Sequence, residues 1–459
     1  MNITVNMKLS RRRLLYLLSL APGLALRGDE QPGHNLIVRS ANPEDFEMPL
    51  SGFDTWITPA EQFYVRTHIY KPKVELAEWR LRVDGLVERE LSLDMAELKR
   101  LPPAELTAVI ECAGNGRSFY EPGVTGMQWR YGAVGNARWT GVRLGDVLKR
   151  AGIKSGATQV LFNGADVPMG KVPDFIRSVP LDKAMHPDTL LAFDMNGAPL
   201  PSSHGFPLRL VASGWAGDSW VKWVTNISVL DKEYDGFFMK TAYRRPVHTV
   251  APATAVDPAA MVPVTAIKPK SVIASPVAGQ RLAAGPVTIR GAAWAGESPV
   301  ARVDVSADNG RTWRPAKLGA DRARYAWRLW EAAWTPPEDG SYVLMSRATD
   351  EKGDTQPFIE EWNPSGYLWN VVPAVRVEVG GGAPGLPPPP PAAEIPPFPD
   401  KVRGSCVGCH GQDMIAGQHL TRAQWERELD KMIRWGAEVK PEDRPEVVDF
   451  LTHTFGSPK

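Results

Sequence analysis

Short runs that alternate apolar and polar residues occupy residues 35–250 and predict an α+β domain. Examples are Phe63-Tyr64-Val65, Trp79-Arg80-Leu81-Arg82-Val83 and Leu208-Arg209-Leu210-Val211, each bounded by turns rich in glycine or proline. Such alternation is typical of strands. One helix is predicted from Leu144 to Ala151, because apolar residues recur at helical spacing and Gly152 follows as a stop. Strands mixed with short helices favour a mixed sheet.

A second region, residues 264–379, contains only short β-like runs. Four of them are Pro286–Arg290, Ala301–Val305, Ala326–Trp330 and Ser341–Met345. The string Asp308-Asn309-Gly310 is a strong signal for a hairpin turn. Regularly spaced strands with turns between them predict a β-sandwich of immunoglobulin type.

The pattern changes twice more towards the C-terminus. Residues 380–400 contain three glycines in a row and five consecutive prolines from Pro387, so this linker is predicted to be extended and semi-rigid. Residues 401–459 predict a small all-α module, in which Thr421 and Gln424 form a capping box. Behind it, one helical face is expected to carry Trp425, Leu429, Met432 and Ile433, and Gly436 is expected to end the helix.

Residues 1–34 resemble a twin-arginine export signal. Three arginines, residues 11–13, directly precede the short apolar run Leu14–Ala21, which is too short to span a bilayer. A plain secretory signal or a basic N-terminal helix is the alternative. We therefore expect export to the periplasm and no membrane span elsewhere in the chain.

Composition further limits the number of domains and the classes of protein to which the chain can belong. A chain of 459 residues is expected to form two or three domains, and a net charge of +1 argues against a broad basic surface for nucleic acid. The three cysteines do not make a disulfide framework, since two lie in one short string and Cys112 stands alone.

That short string is Cys406-Val407-Gly408-Cys409-His410, the attachment motif of haem c. Cys406 and Cys409 would form thioethers to the porphyrin and His410 would ligate iron, all three on one turn of helix. A zinc site would need a second cysteine pair and a redox dithiol would favour a βαβ setting, so both are weaker interpretations. Met432 is predicted as the sixth iron ligand, with Met414 as the alternative. The module resembles a small cytochrome c domain.

Cys112 follows a β-like run and lies in the glycine-rich string Cys112-Ala113-Gly114-Asn115-Gly116-Arg117. Such a turn can present a thiolate to a metal, with Arg117 near enough to hold an anion beside it. A buried cysteine is more often a small core residue, and that alternative stays open from this string alone.

Several strings in order resemble the sulfite oxidase family of molybdopterin enzymes, across nearly all of residues 35–379. The strings are Phe63-Tyr64-Val65-Arg66-Thr67-His68, Cys112–Arg117, Trp129–Trp139, Leu190–Gly197, His204–Arg209, Val221-Lys222-Trp223, Arg302–Ser306 and Trp362-Asn363.

This resemblance implies roles for particular residues. Cys112 would be the protein thiolate on molybdenum. The pterin and its phosphate would be held by Tyr64, Val65, Arg66, Thr67, His68, Asp166, His204, Arg209, Trp220, Val221 and Lys222. An anion pocket would be lined by Arg66, Arg117, Trp129 and Tyr243, with His68 close by, because guanidinium groups bind oxyanions with directed hydrogen bonds. The alternative is that Arg66 or Arg117 forms a surface ion pair and Tyr243 is a sheet-edge aromatic.

Ser365 departs from the family pattern, since animal sulfite oxidases carry an arginine there in the Trp-Asn-x-x-Gly string. The organisation also differs, because animal members have an N-terminal haem b domain rather than a C-terminal haem c. The export signal and the haem c together resemble bacterial sulfite dehydrogenases and their sulfane dehydrogenase relatives.

The expected architecture is therefore a sulfite-oxidase-type α+β molybdopterin domain (35–250), an immunoglobulin-like dimerisation domain (264–379), the linker and a cytochrome c domain (401–459). The expected activity is oxidation of sulfite to sulfate by a homodimer, with electrons passing through the haem to a soluble cytochrome c. Sulfane sulfur or another small oxyanion is the alternative substrate. A non-enzymatic electron carrier and a structural secreted protein are the competing classes.

Overall fold

The chain is described here from a computed structural model that covers residues 36–387, 395–407 and 410–456. The predicted export signal, residues 388–394 of the predicted linker, and Cys409 lie outside the described residues.

The first domain begins with a small antiparallel sheet in the order β1-β2-β3. Its strands are β1 (Ile37–Ser40), β2 (Asp45–Glu47) and β3 (Val65–Arg66). Only Val65 of the predicted strand Phe63–Val65 belongs to β3, because the residues before it follow a short 3-10 turn at Ala60–Gln62. This sheet places Arg66 beside Asp45, its partner in the β2–β3 register.

Two five-stranded sheets form the body of the first domain. The antiparallel one has the order β11-β10-β7-β6 with β12 also paired to β10, and the mixed one has the order β5-β4-β13-β8-β9 with β4 and β13 parallel. The strands are β4 (Leu81–Gly85), β5 (Leu91–Leu93), β6 (Pro103–Glu111), β7 (Val134–Arg143), β8 (Gln159–Asn163), β9 (Arg177–Pro180), β10 (Thr189–Met195), β11 (Ala198–Pro199), β12 (Arg209–Ala212) and β13 (Asn226–Leu230).

Short helices connect these sheets. They are α1 (Met95–Leu98), α2 (Leu144–Ala151), α3 (Leu181–Met185) and α4 (Phe237–Lys240). Helix α2 has the predicted bounds: Leu144, Val147 and Leu148 are buried, and Gly152 ends it with a φ of 74° that favours glycine. The α+β prediction for this domain is confirmed, and the hairpin β14 (Arg244–Pro246) with β15 (Met261–Pro263) leads into the next domain.

The second domain is a two-sheet β-sandwich, as predicted. One sheet has the order β16-β18-β22-β21 and the other β17-β24-β23-β19-β20. Its strands are β16 (Lys270–Ser275), β17 (Arg281–Leu282), β18 (Val287–Trp294), β19 (Val300–Ser306), β20 (Arg314–Pro315), β21 (Lys317–Leu318), β22 (Arg328–Trp334), β23 (Gly340–Asp350) and β24 (Ala374–Val379). Asn309 and Gly310 turn with positive φ between β19 and β20, at the predicted hairpin.

The predicted linker is partly attached to the sandwich, since Gly385 pairs with Arg281 in an isolated bridge. Beyond it, four helices pack around one small core: α5 (Asp400–Cys406), α6 (Gln412–Ala416), α7 (Arg422–Arg434) and α8 (Arg444–Phe455). We call these helices the helical module. Its core is built by Phe398, Trp425, Leu429, Val447 and Leu451, among others.

Two details of the helical module differ from the sequence prediction. The Thr421–Gln424 capping box begins α7 as expected, and Trp425, Leu429 and Ile433 pack in the core, but half-buried Met432 does not belong to that cluster. Met432 lies on the flank of that face, because it is about 60° around the helix from Leu429 and about 100° from Ile433. In addition, α5 ends at Cys406, so His410 lies outside the helix rather than on one turn with the cysteine.

No helix in the described ranges is both long and apolar enough to cross a membrane.

Candidate active site

One pocket of the first domain gathers most of the predicted site residues. The pocket opens to solvent, and the empty space within it and at its mouth together is about 660 Å³. It is lined by Phe63, Tyr64, Arg66, His68, Ile110, Cys112, Asp166, Phe175, Ser203, His204, Arg209, Gly217, Asp218, Trp220, Lys222, Trp223 and Tyr243. Ten of the predicted site residues are therefore brought together: Tyr64, Arg66, His68, Cys112, Asp166, His204, Arg209, Trp220, Lys222 and Tyr243.

Cys112 enters the pocket directly after β6. Its main-chain nitrogen donates to the carbonyl of Ala133 at 2.9 Å, which fixes the residue against the start of β7. The thiol is buried, and burial raises its pKa, while the charges of Arg66 and Arg117 act in the opposite direction. The two cations favour the thiolate, and a bound metal ion would favour it further, because the thiolate is the form that ligates metals.

The loop that carries Cys112 is anchored by a buried ion pair from the second domain. Lys270 at the start of β16 donates to Glu111, whose other carboxylate oxygen accepts from Trp294 Nε1 at 2.9 Å. Asn115 Nδ2 also donates to Glu111, at 2.8 Å. The residues on both sides of Cys112 are thus held by side chains of the sandwich.

Opposite Cys112, the pocket contains two buried cations without an acidic partner. Among the described residues, neither Arg209 nor Lys222 makes a salt bridge: Arg209 donates to the carbonyl of His204 at 2.9 Å, and Lys222 to that of Ser203 at 2.9 Å. Burial, followed by the charge of Arg209, lowers the pKa of Lys222 to about 7, and burial lowers the pKa of Arg209 to about 10. Burying unpaired charges is costly, and a bound anion would pair with both cations. This end of the pocket therefore favours an anion.

The same residues test whether a phosphate-bearing pterin fits. Arg209 Nε is buried and, in the described structure, has no hydrogen-bond partner. Burial and the two neighbouring cations also lower the pKa of His204 to about 3, which leaves its imidazole neutral. A molybdopterin needs cations and N–H donors for its phosphate and a thiolate for its metal. This pocket offers two unpaired cations, an unused N–H group and a thiol. The site therefore fits the group.

Arg66, His68 and Tyr243 form the remaining wall. Arg66 Nη1 donates to Asp45 at 3.0 Å, and the imidazole of His68 makes a short hydrogen bond with the hydroxyl of Tyr243. His68 stacks on Phe175 with ring centroids 4.1 Å apart. Burial and then Arg66 hold the pKa of His68 well below its ordinary value, so the ring is a neutral partner for Tyr243.

Tyr243 adopts a positive φ of 55°, a conformation that non-glycine residues seldom adopt. Such geometry persists only where surrounding contacts hold it, and it is often found at functional sites. The contacts that hold Tyr243 are the hydrogen bond to His68 and a ring stack with Tyr367.

Arg117 and Trp129 lie beside the pocket and are not part of its lining. Arg117 donates through Nη1 to the carbonyl of Met127 at 2.9 Å and through Nε to that of Ser365 at 3.1 Å. Trp129 is fully buried in the cluster that contains Cys112. Val65, Thr67 and Val221 are likewise buried outside the lining, so they would contribute main-chain groups or packing.

Tyr367 is a residue that the sequence analysis missed. Its ring stacks on that of Tyr243, with centroids 5.2 Å apart and planes 17° from parallel. Its hydroxyl accepts from the main-chain nitrogen of Tyr243 at 3.3 Å, and the guanidinium of Arg117 lies 5.1 Å from its ring centre. Tyr367 belongs to the second domain and stands two residues after Ser365, so the Trp-Asn string that drew attention to Ser365 could have indicated it.

Asp218 was also missed. It pairs with Arg177 at 2.6 Å, with both side chains almost completely buried. Burial raises the pKa of Asp218 to about 6 although Arg177 opposes this. The guanidinium of Arg177 lies 5.3 Å from the ring centre of Tyr243, so this ion pair supports the wall that carries Tyr243. No motif in the sequence marks it.

The helical module lies against this part of the first domain. His410 is mostly buried with its Nδ1 unpaired among the described residues, and burial together with the charges of Lys431 and Arg66 lowers its pKa. Met414, the alternative sixth ligand, packs against the cluster that contains Cys112 and Tyr64. His410, the predicted iron ligand, therefore lies on the side of the helical module that faces the pocket domain.

Comparisons with known proteins agree with this site. A family model for the oxidoreductase molybdopterin binding domain matches residues 68–238, and one for the Mo-co oxidoreductase dimerisation domain matches residues 262–380. The sulfite oxidase of Gallus gallus is 37% identical over 358 residues, 74% of this chain and 77% of that protein. The sulfite oxidase of Arabidopsis thaliana is 32% identical, over 74% of this chain and 93% of that protein.

Human mitochondrial sulfite oxidase is 37% identical over 75% of this chain, and the match spans 66% of the human protein. Among solved structures, the sulfane dehydrogenase SoxCD from Paracoccus pantotrophus superposes with a TM-score of 0.64 at 30% identity, over 74% of this chain and 85% of that one. The similarity extends over both the pocket domain and the sandwich.

Proposed function

Since this chain belongs to the sulfite oxidase family and is a molybdopterin-dependent oxidoreductase, we propose that it oxidises sulfite to sulfate. The observation that carries the proposal is the pocket itself. Cys112, the unpaired cations Arg209 and Lys222, and the wall of Arg66, His68 and Tyr243 all face one cavity. Oxidation of sulfite with water yields sulfate, two protons and two electrons.

The bound molybdopterin supplies the two-electron redox chemistry. Arg209 and Lys222 would hold its phosphate, with Asp166, His204 and Tyr64 around it, and the Cys112 thiolate would ligate the metal. Arg66 orients the oxyanion by its guanidinium, and Tyr243, held by His68, donates a hydrogen bond to the same anion. Arg117 adds positive charge from behind the wall.

A haem c would be held by Cys406, Cys409 and His410, with Met432 as a further ligand, and would supply one-electron transfer to a soluble cytochrome c. This part of the proposal is supported by the motif and by the position of His410, whose unpaired Nδ1 is buried near the pocket domain. The twin-arginine-like segment supports export, so the enzyme acts in the periplasm. The dimerisation domain supports a homodimer.

A second candidate substrate is a sulfane sulfur, such as a protein-bound or thiosulfate-derived atom. Ser365 replaces a pocket arginine of animal sulfite oxidases, and the SoxCD structure is a sulfane dehydrogenase. With one cationic side chain fewer, the site has less positive charge for a dianion, which favours a less charged sulfur compound.

The test is a visible spectrum of the oxidised protein, kept anaerobic, before and after addition of sulfite, together with metal analysis. About one molybdenum per chain and rapid haem reduction would support sulfite oxidation with internal electron transfer. Molybdenum with a haem that stays oxidised would contradict sulfite as substrate. Thiosulfate and protein-bound persulfide would then be tested in the same assay.

A further inference from the structure

The helical module contacts the pocket domain through specific polar groups rather than by apolar packing alone. We call this contact the docking interface. From the module it includes Gly411, Asp413, Gln418, Gln424 and Trp435. From the pocket domain it includes Ala41, Asn42, Gly123, Gly126 and Phe237.

One half of the docking interface is centred on Gln418. Its side chain, only 9% exposed, donates from Nε2 to the carbonyl of Gly126 at 2.9 Å and accepts from the nitrogen of Gly126 at 3.3 Å. The side-chain amide of Gln418 thus pairs with both the main-chain N–H and the carbonyl of Gly126. Gln424 Nε2 adds a bond to the carbonyl of Gly123 at 2.9 Å.

Gly126 is also in contact with Arg117. A Cβ at Gly126, which has a φ of 112°, would lie 3.0 Å from the guanidinium carbon of Arg117, so the guanidinium leaves no room for a side chain at this position. The next carbonyl, that of Met127, accepts from Arg117 Nη1 at 2.9 Å. Residues 126–127 are therefore held between Gln418 on one side and Arg117 on the other.

The other half of the docking interface lies on the turn between β1 and β2. The nitrogen of Gly411 donates to the carbonyl of Asn42 at 2.8 Å, and the nitrogen of Ala41 donates to Asp413 Oδ2 at 3.0 Å. This turn leads directly into Asp45, the buried partner of Arg66. The module thus touches the two segments that position Arg66 and Arg117.

From this arrangement we propose that docking of the helical module and binding of an oxyanion in the pocket favour each other. The docked module holds the 41–42 turn and the 126–127 segment, and so fixes the two arginines in the places where they attract the anion. By thermodynamic reciprocity, an anion that holds the arginines must stabilise docking by the same factor. The inference rests on the proposed function only in that the pocket binds an oxyanion.

The experiment uses the full-chain holoenzyme and sulfate, a redox-inert oxyanion, with chloride at the same ionic strength as reference. Gln418→Met keeps the length of the side chain and removes both bonds to Gly126 without changing charge. The matched control is Gln412→Met, which removes an amide that makes no hydrogen bond in the described structure. Calorimetric titration should show that Gln418→Met raises the Kd for sulfate about fivefold or more, a typical size for allosteric coupling, while the control binds as the wild type does.

Hydrogen exchange of the wild-type protein gives the reciprocal measurement and requires no variant. Saturating sulfate should slow exchange in residues 411–418, with α8 of the same module as an internal reference that does not change. The proposal is overturned if sulfate leaves 411–418 unchanged relative to α8, or if folded Gln418→Met binds sulfate like the wild type. If that variant does not fold, the wild-type exchange result decides.

The outcomes separate this inference from the proposed function. A wild-type enzyme that couples sulfate to docking but does not oxidise sulfite contradicts only the substrate assignment. An enzyme that oxidises sulfite and shows no coupling contradicts only the docking inference.

Discussion

Lys222 and Arg209 show how single residues define the ligand of the pocket. Both are buried, and neither makes a salt bridge in the described structure. Burial and the charge of Arg209 lower the pKa of Lys222, and both cations lower the pKa of His204. An anion with two or more negative charges would restore the balance. The protonation of Lys222 is therefore a direct reporter of anion binding.

In protein prepared without its cofactor, sulfate affinity should depend on pH through Lys222. The lysine is charged below its folded pKa of about 7 and neutral above it, and sulfate keeps its charge throughout. Affinity should therefore be greatest below about pH 7 and fall as the pH rises to about 9, by at most about tenfold per pH unit. Calorimetric titration across this range measures the slope.

The control for this prediction is Lys222→Arg, which stays charged across the same range. It should bind sulfate with little change between about pH 7 and about pH 9. A wild-type slope that persists in Lys222→Arg would mean that another group is responsible.

Among single site residues, those that lie in strings resembling a family motif were predicted from the sequence, and those outside such strings were not. Cys112, Arg66 and Lys222 stand in recognisable strings, and the structure places them in one pocket. Asp218 and Tyr367 act through contacts with residues far away in the chain, and contacts of that kind leave no local pattern. Arg117 was expected in the pocket lining, but its guanidinium is occupied by two main-chain carbonyls.

Strand β6 and the start of β16 together position Cys112, the proposed metal ligand. The strand delivers Cys112 to the pocket, and Lys270 of β16 neutralises Glu111 just before it. Removing one member of a buried ion pair leaves an uncompensated charge, which is far costlier than losing an exposed pair. The stability of the first domain is thus tied to a side chain of the second.

Replacing Lys270 with methionine should lower the free energy of unfolding by about 3–5 kcal/mol. The matched control is Lys317→Met, whose ion pair with Glu331 is exposed and is expected to contribute about 1 kcal/mol or less. Chemical denaturation of both variants measures the difference. Similar losses in the two variants would contradict the role assigned to Lys270.

Elements with strong local signals were the ones that the sequence predicted well. The bounds of α2 follow from its apolar spacing and Gly152, and α7 begins at its capping box. The short strand β3 was shifted, because a two-residue strand is decided by its partner β2 and not by its own sequence. Met432 was placed on the core face by spacing alone, whereas the structure sets it on the flank of α7.

At the scale of the whole molecule, the predicted linker joins the sandwich to the helical module in sequence. Deleting the five prolines from Pro387 to Pro391 should slow haem reduction after sulfite addition more than it slows sulfite oxidation with an artificial acceptor. The reason is that the tether sets the effective concentration of the module at its interface. Rapid-mixing spectroscopy measures the first rate and steady-state assay the second.

The control replaces the same prolines with glycine and serine, which keeps the length but removes the stiffness. If deletion reduces both rates equally, the linker does not act through docking.

The order of the domains followed from the sequence, but the contacts between them did not. The sandwich was predicted as a dimerisation domain, and nothing in its periodicity indicated that Lys270 and Tyr367 would reach the site. Likewise, the polar pairs between Gln418 and Gly126 join residues almost 300 positions apart. Contacts of such range depend on the complete fold.

The position of Tyr367 bears on how substrate preference can change in evolution. A segment of the sandwich, residues 362–369, carries both Ser365 and Tyr367, and Leu368 beside them donates to the carbonyl of Ala113 at 2.8 Å. A chimaera that takes its sandwich from a relative would therefore inherit residues that pack directly behind the pocket wall, against Tyr243. Recombination at the boundary between the two domains can alter substrate preference while every residue of the molybdopterin domain stays the same.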